Sequence, residues 1–155
     1  MSKYFTYLWK NDEWKRKVKD LDQNLIYAAS NQFSERGVKV EDTLFIVTVL
    51  DGCLYLGGKI IIKQITNRST AASLLSLNEA DLWKASEYAI ASLSSISIFQ
   101  KNNLIEGVIS HKLEFTDGRG FKNPKLKDGK LDVQTFRGVR ELYDDSYKHL
   151  LSRCE

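Results

Sequence analysis

Few side chains in this sequence are suited to catalysis. The two histidines, His111 and His149, lie on a predicted strand and a predicted helix, and no G-x-S-x-G segment supplies a serine nucleophile. No group of glycines has the spacing of a phosphate-binding loop. Cys53 and Cys154 are too few for a cysteine-based zinc site and too far apart in the sequence for a disulfide framework. The sequence therefore predicts no catalytic residue, no metal ligand and no cofactor.

Aromatic and polar residues near predicted loop ends indicate binding instead. Trp9 ends the first predicted strand, and Asn31, Phe33 and Arg36 occupy a single loop. An indole face can stack a nucleobase while an amide reads its edge, and each stacked base contributes about 1 to 3 kcal/mol. These residues would form a site for one flipped or single-stranded base. Core packing is the alternative for Trp9, and Phe33 could instead fill its own loop.

Two basic stretches could supply the phosphate contacts that such a site needs. The first contains Lys15 and Lys17, which are the candidate contacts, and the second extends over residues 119–130. Each matched phosphate contact would steepen the salt dependence of binding, because counterions leave the nucleic acid. Solvated faces that keep the protein soluble are the alternative interpretation.

The clearest structural pattern is a hairpin in the first half of the chain. The runs 43–50 and 53–56 are rich in strand-forming residues, and Asp51-Gly52 between them tolerates the positive φ of a tight turn. Gly57-Gly58 predicts a bulge or bend before a further strand over 59–65. Upstream, the sequence predicts a strand over 3–9, a helix from Asn11 or Asp12, and a strand over 25–29.

The second half of the chain predicts two longer helices. One begins at Asn78 and keeps helical spacing to Leu93, with Trp83 to one side of its apolar stripe. The other is an amphipathic helix over 139–151. Residues 67–77 are rich in Ser, Thr and Ala and are expected to be partly loop. Short strands are predicted over 96–99, 104–109, 111–115 and 131–136.

Length and composition favour one compact domain over residues 1–155. Hydrophobic residues make up 43% of the chain, and 23 Lys and Arg against 20 Asp and Glu leave a formal charge of +3, which permits an anionic partner without requiring one. The first residues lack the apolar core of a signal peptide, and no apolar run reaches the roughly 18 residues of a membrane span. We therefore expect a cytoplasmic α+β protein without membrane association, built on a strongly bent mixed sheet with about three helices.

The segment from Ala29 to Ile65 resembles the front half of the PUA-like superfamily, in particular its EVE and YTH-type branches. In those domains a loop carrying Asn and Arg leads into a turn with a Gly-Asp pair, then into a strand and a hairpin that ends in glycine. The matching residues here are Asn31, Arg36, Gly37, Asp42 and Gly57-Gly58-Lys59. Glu41 departs from the pattern, because the family normally has Gly at this position.

The resemblance implies a small, strongly bent mixed β-barrel with flanking helices that binds DNA or RNA. Several branches accept a modified base, such as methylated cytosine or adenine, in an aromatic pocket after its extrusion from the stack. Carried over, Asn31 would hydrogen-bond the base edge or hold the loop, and Arg36 would contact phosphate or brace the pocket. Trp9 would form one wall, and Trp83 is a candidate for a second.

Two further expectations concern partners. A reader of this kind has no catalytic groups, so a separate nuclease or regulatory subunit would act on the nucleic acid that it recognises. The alternative is a protein-interaction or structural domain that keeps the barrel without a nucleic-acid ligand. An exposed apolar patch without a cavity or a basic rim would favour that alternative.

Overall fold

A mixed sheet of eight strands dominates the fold, and the computed structural model describes residues 2–154. The strands are β1 (Tyr4–Leu8), β2 (Tyr27–Ser30), β3 (Thr43–Leu50), β4 (Cys53–Thr66), β5 (Glu87–Ala91), β6 (Leu104–Ile105), β7 (Phe115–Thr116), β8 (Leu126–Lys127), β9 (Lys130–Leu131) and β10 (Val139–Leu142). The α-helices are α1 (Asn11–Val18), α2 (Arg68–Leu75), α3 (Gly107–Ser110) and α4 (Ser146–Leu151). Strands β8 and β9 pair only with each other. The predicted α+β class is confirmed, and the helices in the described chain number four where about three were expected.

The large sheet is open in its hydrogen bonding. Its strand order is β2-β5-β4-β3-β1-β10-β7, and β6 pairs with β4 beside this path. Strands β1 and β3 run parallel, and the other pairs are antiparallel, which confirms that the sheet is mixed. Within residues 2–154, no ladder joins β2 to β7. The pairing is therefore not that of the closed barrel which the resemblance implies.

The open sheet nevertheless curls around one hydrophobic core. Tyr7 of β1, Leu44 of β3, Ile60 of β4 and Ala28 of β2 belong to the same buried cluster. Strands β5, β4 and β3 lie between β2 and β1 along the sheet, yet the Tyr7 hydroxyl donates to the backbone carbonyl of Ala29 in β2. Burial raises the pKa of Tyr7, so the hydroxyl keeps its proton for this bond. The contact requires the sheet to bend back on itself.

The opposite face of the central strands is also covered. Phe45 and Val47 alternate along β3 with the residues of the first core, and they pack in a second cluster with Phe136 and with Leu150 of α4. All residues of β3 from Thr43 to Val49 are buried. A strand buried on both faces reads as a continuous apolar run, which explains the pattern TLFIVTVL.

The predicted hairpin is confirmed, and its bulge falls where the glycines predict it. Strand β4 is continuous across Gly57-Gly58, so the two strands expected on either side of the glycines are one. Ile46 pairs with Gly58 while the next residue, Val47, pairs with Leu56, which leaves Gly57 as the extra residue of the bulge.

The region from 67 to 93 differs from the sequence prediction. Helix α2 occupies the segment expected to be partly loop, and its N-terminus is capped by Asn67, whose Oδ1 accepts a 2.8 Å hydrogen bond from the Thr70 N–H. The predicted helix from Asn78 to Leu93 is wrong, because only a 3-10 turn (Glu79–Asp81) forms there before β5. Strand β5 is buried between β2 and β4, so pairing with distant strands overrides its local helical spacing.

The C-terminal helix is shorter than predicted, and the predicted short strands are shortened or reduced to a single bridge. Residues 139–142 form β10 between β1 and β7, and Asp144, with φ of 52°, separates this strand from α4. The strand predicted over 96–99 is a single bridge from Ile98 to Asn24. The strand predicted over 104–109 is reduced to β6, and α3 follows it. The strand predicted over 111–115 is replaced by the shorter β7. The strand predicted over 131–136 is replaced by β9 and a following 3-10 turn (Val133–Phe136). None of the helices in residues 2–154 is both long and apolar enough to cross a bilayer.

The turn before β3 has a left-handed residue at the position where the resemblance leads us to expect glycine. Glu41 has φ of 76°, in the left-handed region where a Cβ atom is unfavourable. The buried carboxylate of Asp42 accepts 2.8 Å hydrogen bonds from the N–H groups of Lys3 and Lys39. Asp42 therefore joins the start of the chain to this turn, and the strain at Glu41 is held in place by its neighbours.

Candidate functional site

Two of the predicted tryptophans line one cavity between α1, the start of β2 and the loop before β5. This cavity, here called the aromatic cavity, has a volume of about 310 Å³, near the lower end of ordinary ligand pockets. Trp9, Trp83 and Tyr27 supply its aromatic wall. Its charged lining consists of Glu13, Arg16, Lys17, Asp20, Asp22 and Asp81.

Trp9 is mainly a core residue. It is only 7% exposed, and its ring lies 5.9 Å from Phe99 and 6.4 Å from Trp14 between centroids. A Cβ atom on Gly57 would lie 2.9 Å from Phe99 Cε1 and 3.0 Å from Trp14 Cζ3, so the glycine of the bulge makes room for these rings. The core alternative therefore describes most of Trp9, although this residue also lines the aromatic cavity.

Trp83 lies in a loop, where the sequence predicts a helix. The backbone N–H of Trp83 donates a 3.3 Å hydrogen bond to the Tyr27 hydroxyl, and its backbone carbonyl accepts a hydrogen bond from the Tyr88 hydroxyl. Burial raises the pKa of Tyr27, so this hydroxyl remains neutral. The guanidinium carbon of Arg16 lies 4.4 Å from the centroid of the Trp83 ring, in a cation–π contact. One face of this indole thus already stacks against a planar group.

Lys17 organises the rim of the aromatic cavity. Its ammonium donates to the carbonyls of Asp22 at 2.7 Å and Asn24 at 2.9 Å, and it lies 3.5 Å from Asp20 Oδ2. An ammonium has three N–H donors, so these contacts leave none for a phosphate. The role predicted for Lys17 is therefore not available in this conformation. Lys15 is exposed and keeps its role as a predicted phosphate contact.

The predicted loop residues do not face the aromatic cavity. The side-chain carbonyl of Asn31 accepts a 2.8 Å hydrogen bond from the Ser86 N–H, which holds the loop against the segment that carries Trp83. Of the two roles that the resemblance implies for Asn31, this contact fits holding the loop. Phe33 is completely buried, with its ring 5.9 Å from that of Tyr7, so the predicted ligand contact is replaced by core packing.

Carboxylates outnumber cations around the aromatic cavity. Glu13 accepts a 2.9 Å hydrogen bond from the Lys10 N–H, and burial raises the pKa of Glu13 in spite of this bond. Asp20 and Asp22 each accept a 3.0 Å hydrogen bond from a backbone N–H of their own loop. Such a lining disfavours a phosphate group, whereas carboxylate oxygens can accept hydrogen bonds from amino groups of a base.

A larger cavity lies between the loop that carries Arg36 and the segment from β7 to β10. Its volume is about 650 Å³, and we call it the arginine cavity. Five cationic side chains line it: Arg36, Arg119, Lys122, Lys125 and Arg140. Across residues 2–154, none of these five forms an ion pair with a carboxylate.

Arg36 and Arg140 are the most unusual groups of the arginine cavity. The Nε atom of Arg36 is buried without a hydrogen-bond partner in the described structure. Arg140 donates from Nε to the carbonyl of Arg137 at 3.0 Å. Burial, and then the charge of Arg36, lower the pKa of Arg140, because both disfavour its charged form. Sequence reasoning selected Arg36 but assigned no role to Arg140, which only the fold brings to the same cavity.

Carboxylates also line the arginine cavity, and most of them have contacts of their own. Asp117 accepts a 3.1 Å hydrogen bond from the backbone N–H of Arg119, and Asp132 accepts a 3.0 Å hydrogen bond from the backbone N–H of Gln134. Glu141 pairs with Lys3 at 3.6 Å. Glu35 is the fourth acid of the lining. The cations therefore remain available to an anion from solution.

Comparison with protein-family models and with curated proteins finds no match to this chain. Within residues 2–154, no three His, Cys, Asp or Glu side chains are grouped so that they could hold a metal ion.

Proposed function

We propose that this chain is a non-catalytic nucleic-acid-binding protein that holds one modified base in the aromatic cavity. The observation that carries this proposal is that Trp9 and Trp83, from distant parts of the sequence, line one cavity together with Tyr27. A cavity of about 310 Å³ with three aromatic rings is suited to a flat, largely apolar ligand. The proposed ligand is methylated cytosine or adenine in DNA or RNA.

The base would stack on the Trp83 indole, where the guanidinium of Arg16 now lies. Arg16 is exposed and belongs to the short helix α1, so it can move aside or cover the outer face of the base. Stacking of one base contributes about 1 to 3 kcal/mol. Burial of an added methyl group contributes about 0.8 kcal/mol, which corresponds to roughly fourfold preference for the modified base.

The PUA-like resemblance supports the same function. The left-handed φ of Glu41 at the family's glycine position and the strong bend of the sheet both agree with it. We propose that the sheet is a PUA-like barrel whose last ladder is unpaired. A separate nuclease or regulatory subunit in the cytoplasm would then act on the recognised nucleic acid.

Fluorescence anisotropy with matched oligonucleotides tests the proposal. The panel contains single strands and duplexes that differ only in one methylated or hydroxymethylated base. The wild-type chain is expected to prefer a modified oligonucleotide by roughly fourfold. Trp83→Ala is expected to weaken binding of that oligonucleotide by about fivefold or more, because it removes a stacking surface. Leu93→Ala, at a side chain that is 78% exposed and lines neither cavity, is the control.

Two results would count against the proposal. Equally weak, salt-insensitive signals on every oligonucleotide would remove it and favour the protein-interaction alternative. Unchanged binding by Trp83→Ala, with a wild-type preference still present, would place the base outside the aromatic cavity. Circular dichroism melts of each variant separate loss of binding from loss of folding.

A further inference from the structure

We propose that the arginine cavity binds a phosphate group, which Arg36 and Arg140 contact together, and that this group is a backbone phosphate of the strand that carries the recognised base. The inference rests on the proposed function, because it assigns a second contact to the same nucleic acid. It adds a second site beside the aromatic cavity, and none of the described residues 2–154 lines both cavities.

The first reason is the unsatisfied guanidinium of Arg36. Its Nε–H is removed from water and has no acceptor among the described residues. A buried donor without an acceptor destabilises the free protein, so native structures rarely keep one. A small shift of the Arg36 side chain toward an anion in the arginine cavity would give this Nε–H the acceptor that the free protein lacks.

The second reason is that Arg140 shares this cavity with Arg36. Two guanidinium groups in a partly buried site repel each other, and the lowered pKa of Arg140 reflects both its burial and the charge of Arg36. A phosphate between them would replace repulsion with two charge-assisted interactions, and its oxygens match the planar fork of guanidinium donors.

The third reason is the supply of additional positive charge. Arg119, Lys122 and Lys125 line the cavity without a carboxylate partner within residues 2–154. Of the four acids in the lining, Asp117, Asp132 and Glu141 have the contacts described above, and Glu35 adjoins Arg36 in sequence. The arginine cavity thus attracts an anion more strongly than the acidic lining of the aromatic cavity does.

An aromatic pair favours a nucleic-acid strand over a free phosphate. Phe121 lines the arginine cavity and stacks on Tyr143, with ring centroids 5.3 Å apart and planes 18° apart. Phe121 is 50% exposed and Tyr143 is 38% exposed, so the pair can stack a base at the cavity rim. A nucleotide that stacks there would bring its phosphate close to the arginines.

One loop connects the two cavities. Asn31 is bonded to Ser86, close to Trp83, and Arg36 of the same loop lines the arginine cavity. Five residues of extended chain span at most about 18 Å, so the two ends of this loop are separated by no more than a few nucleotides of a bound strand. A single strand can therefore reach both sites.

Binding of oligonucleotides by Arg36→Gln and Arg140→Gln tests the inference. Each variant is measured by anisotropy at several salt concentrations, with modified and unmodified single strands of one sequence. Each is expected to weaken binding of both strands by about tenfold and to reduce the slope of log K against log salt by about 0.7, while the preference for the modified base is unchanged. Lys101→Gln, an exposed lysine outside both cavities, is the control for charge.

The thermal midpoint of unfolding separates a binding role of the arginines from a merely structural one. Replacement of a structural arginine would lower the midpoint. Removal of one of two repelling charges is expected to leave the thermal midpoint unchanged or raised. If Arg36→Gln instead lowers the midpoint and leaves affinity unchanged, Arg36 braces the loop and the inference fails. Arg140→Lys keeps the charge without the planar fork, and it is expected to retain the salt slope while losing part of the affinity.

The outcomes separate this inference from the proposed function. A wild-type preference for the modified base, with unchanged affinity and slope in both arginine variants, overturns the phosphate site alone. Absence of any preference, with weaker binding by both variants, overturns base recognition alone. If no oligonucleotide binds, inorganic pyrophosphate is titrated while the Arg36 Nε–H resonance is followed by NMR. A saturable shift identifies a free phosphate compound as the source, and no shift overturns the site.

Discussion

The two cavities of this protein are built in opposite ways. The aromatic cavity is an extension of the core, where Trp9 and Trp83 are held by packed rings and backbone hydrogen bonds and where Lys17 has used all its donors. The arginine cavity is lined by cations that have no carboxylate partner within residues 2–154, and the buried Nε of Arg36 also lacks an acceptor there. Polar groups that are already satisfied stabilise the fold, whereas unsatisfied ones have the most to gain from a ligand.

This difference has a general consequence for substitutions. Changes at the wall of the aromatic cavity alter packing or loop order, so they are expected to lower stability together with affinity. Changes at Arg36 or Arg140 remove repulsion in the free protein, so we expect them to lower affinity without lowering stability. Stability and affinity measured on the same variants can therefore distinguish a structural wall from a binding group.

The largest expected effect is at the bulge behind the aromatic wall. Gly57→Ala places a methyl group against Phe99 and Trp14, at distances of 2.9 and 3.0 Å that require the rings to shift. We expect the free energy of unfolding to fall by about 1 to 3 kcal/mol, measured by urea denaturation.

Gly107→Ala is the matched control for this glycine. It begins α3, and its added Cβ would meet only the His111 side chain, at 3.2 Å. Because alanine favours helix over glycine, unchanged or slightly raised stability is expected. An equal loss in both variants would mean that Gly57 has no special role in seating the aromatic rings.

A smaller effect is expected at the rim, where two lysines of α1 are compared. Lys17→Met removes three contacts from the loop over 20–24, and we expect it to lower the free energy of unfolding by about 1 to 2 kcal/mol and to speed amide exchange in that loop. Lys15→Met, at an exposed lysine, should leave both quantities unchanged. Slow exchange retained in the loop of the Lys17 variant would show that the loop is ordered without the ammonium.

The smallest effect is expected outside both cavities, at the strained turn. Glu41→Gly relieves a left-handed φ of 76° but adds freedom to the unfolded chain, so we expect stability to rise by about 0.5 to 1 kcal/mol. Glu41 lines neither cavity, so oligonucleotide binding by this variant is expected to equal that of the wild-type chain. The variant is therefore a reference for substitutions at the two cavities. Asp128→Gly, at a φ of 55°, should gain less, because aspartate tolerates this conformation better than glutamate. A loss of stability at Glu41→Gly would show that its side chain stabilises the turn.

Local sequence patterns predicted the elements whose paired residues are near each other in the chain. The hairpin, its Asp51-Gly52 turn and the bulge at Gly57 follow from alternation and from glycine conformations, and all three are confirmed. The helix over 78–93 was wrong because the Tyr88–Ala91 segment is buried between strands that come from other parts of the chain. Residues with modest intrinsic preference adopt the structure that tertiary pairing requires.

The sequence likewise predicts some residues of the candidate site but not where the fold places them. Residue chemistry selected Trp9 and Arg36, and the resemblance added Trp83. The fold brings the two tryptophans to one cavity and places Arg36 in another. Phe33 and Lys17 have suitable chemistry, but burial of the ring and saturation of the ammonium donors assign them to structure. Neither burial nor donor saturation can be read from a residue type.

The sequence by itself determined the α+β class, the hairpin at the centre of the sheet and the stock of aromatic and basic side chains, because these depend on composition and on neighbours in the chain. Only the tertiary structure decided that the sheet curls without a closing ladder, that Trp9 and Trp83 line one cavity, and that Arg36 and Arg140 line another. These relations depend on contacts between residues far apart in the chain, and their free energies appear only when the strands and loops pack together.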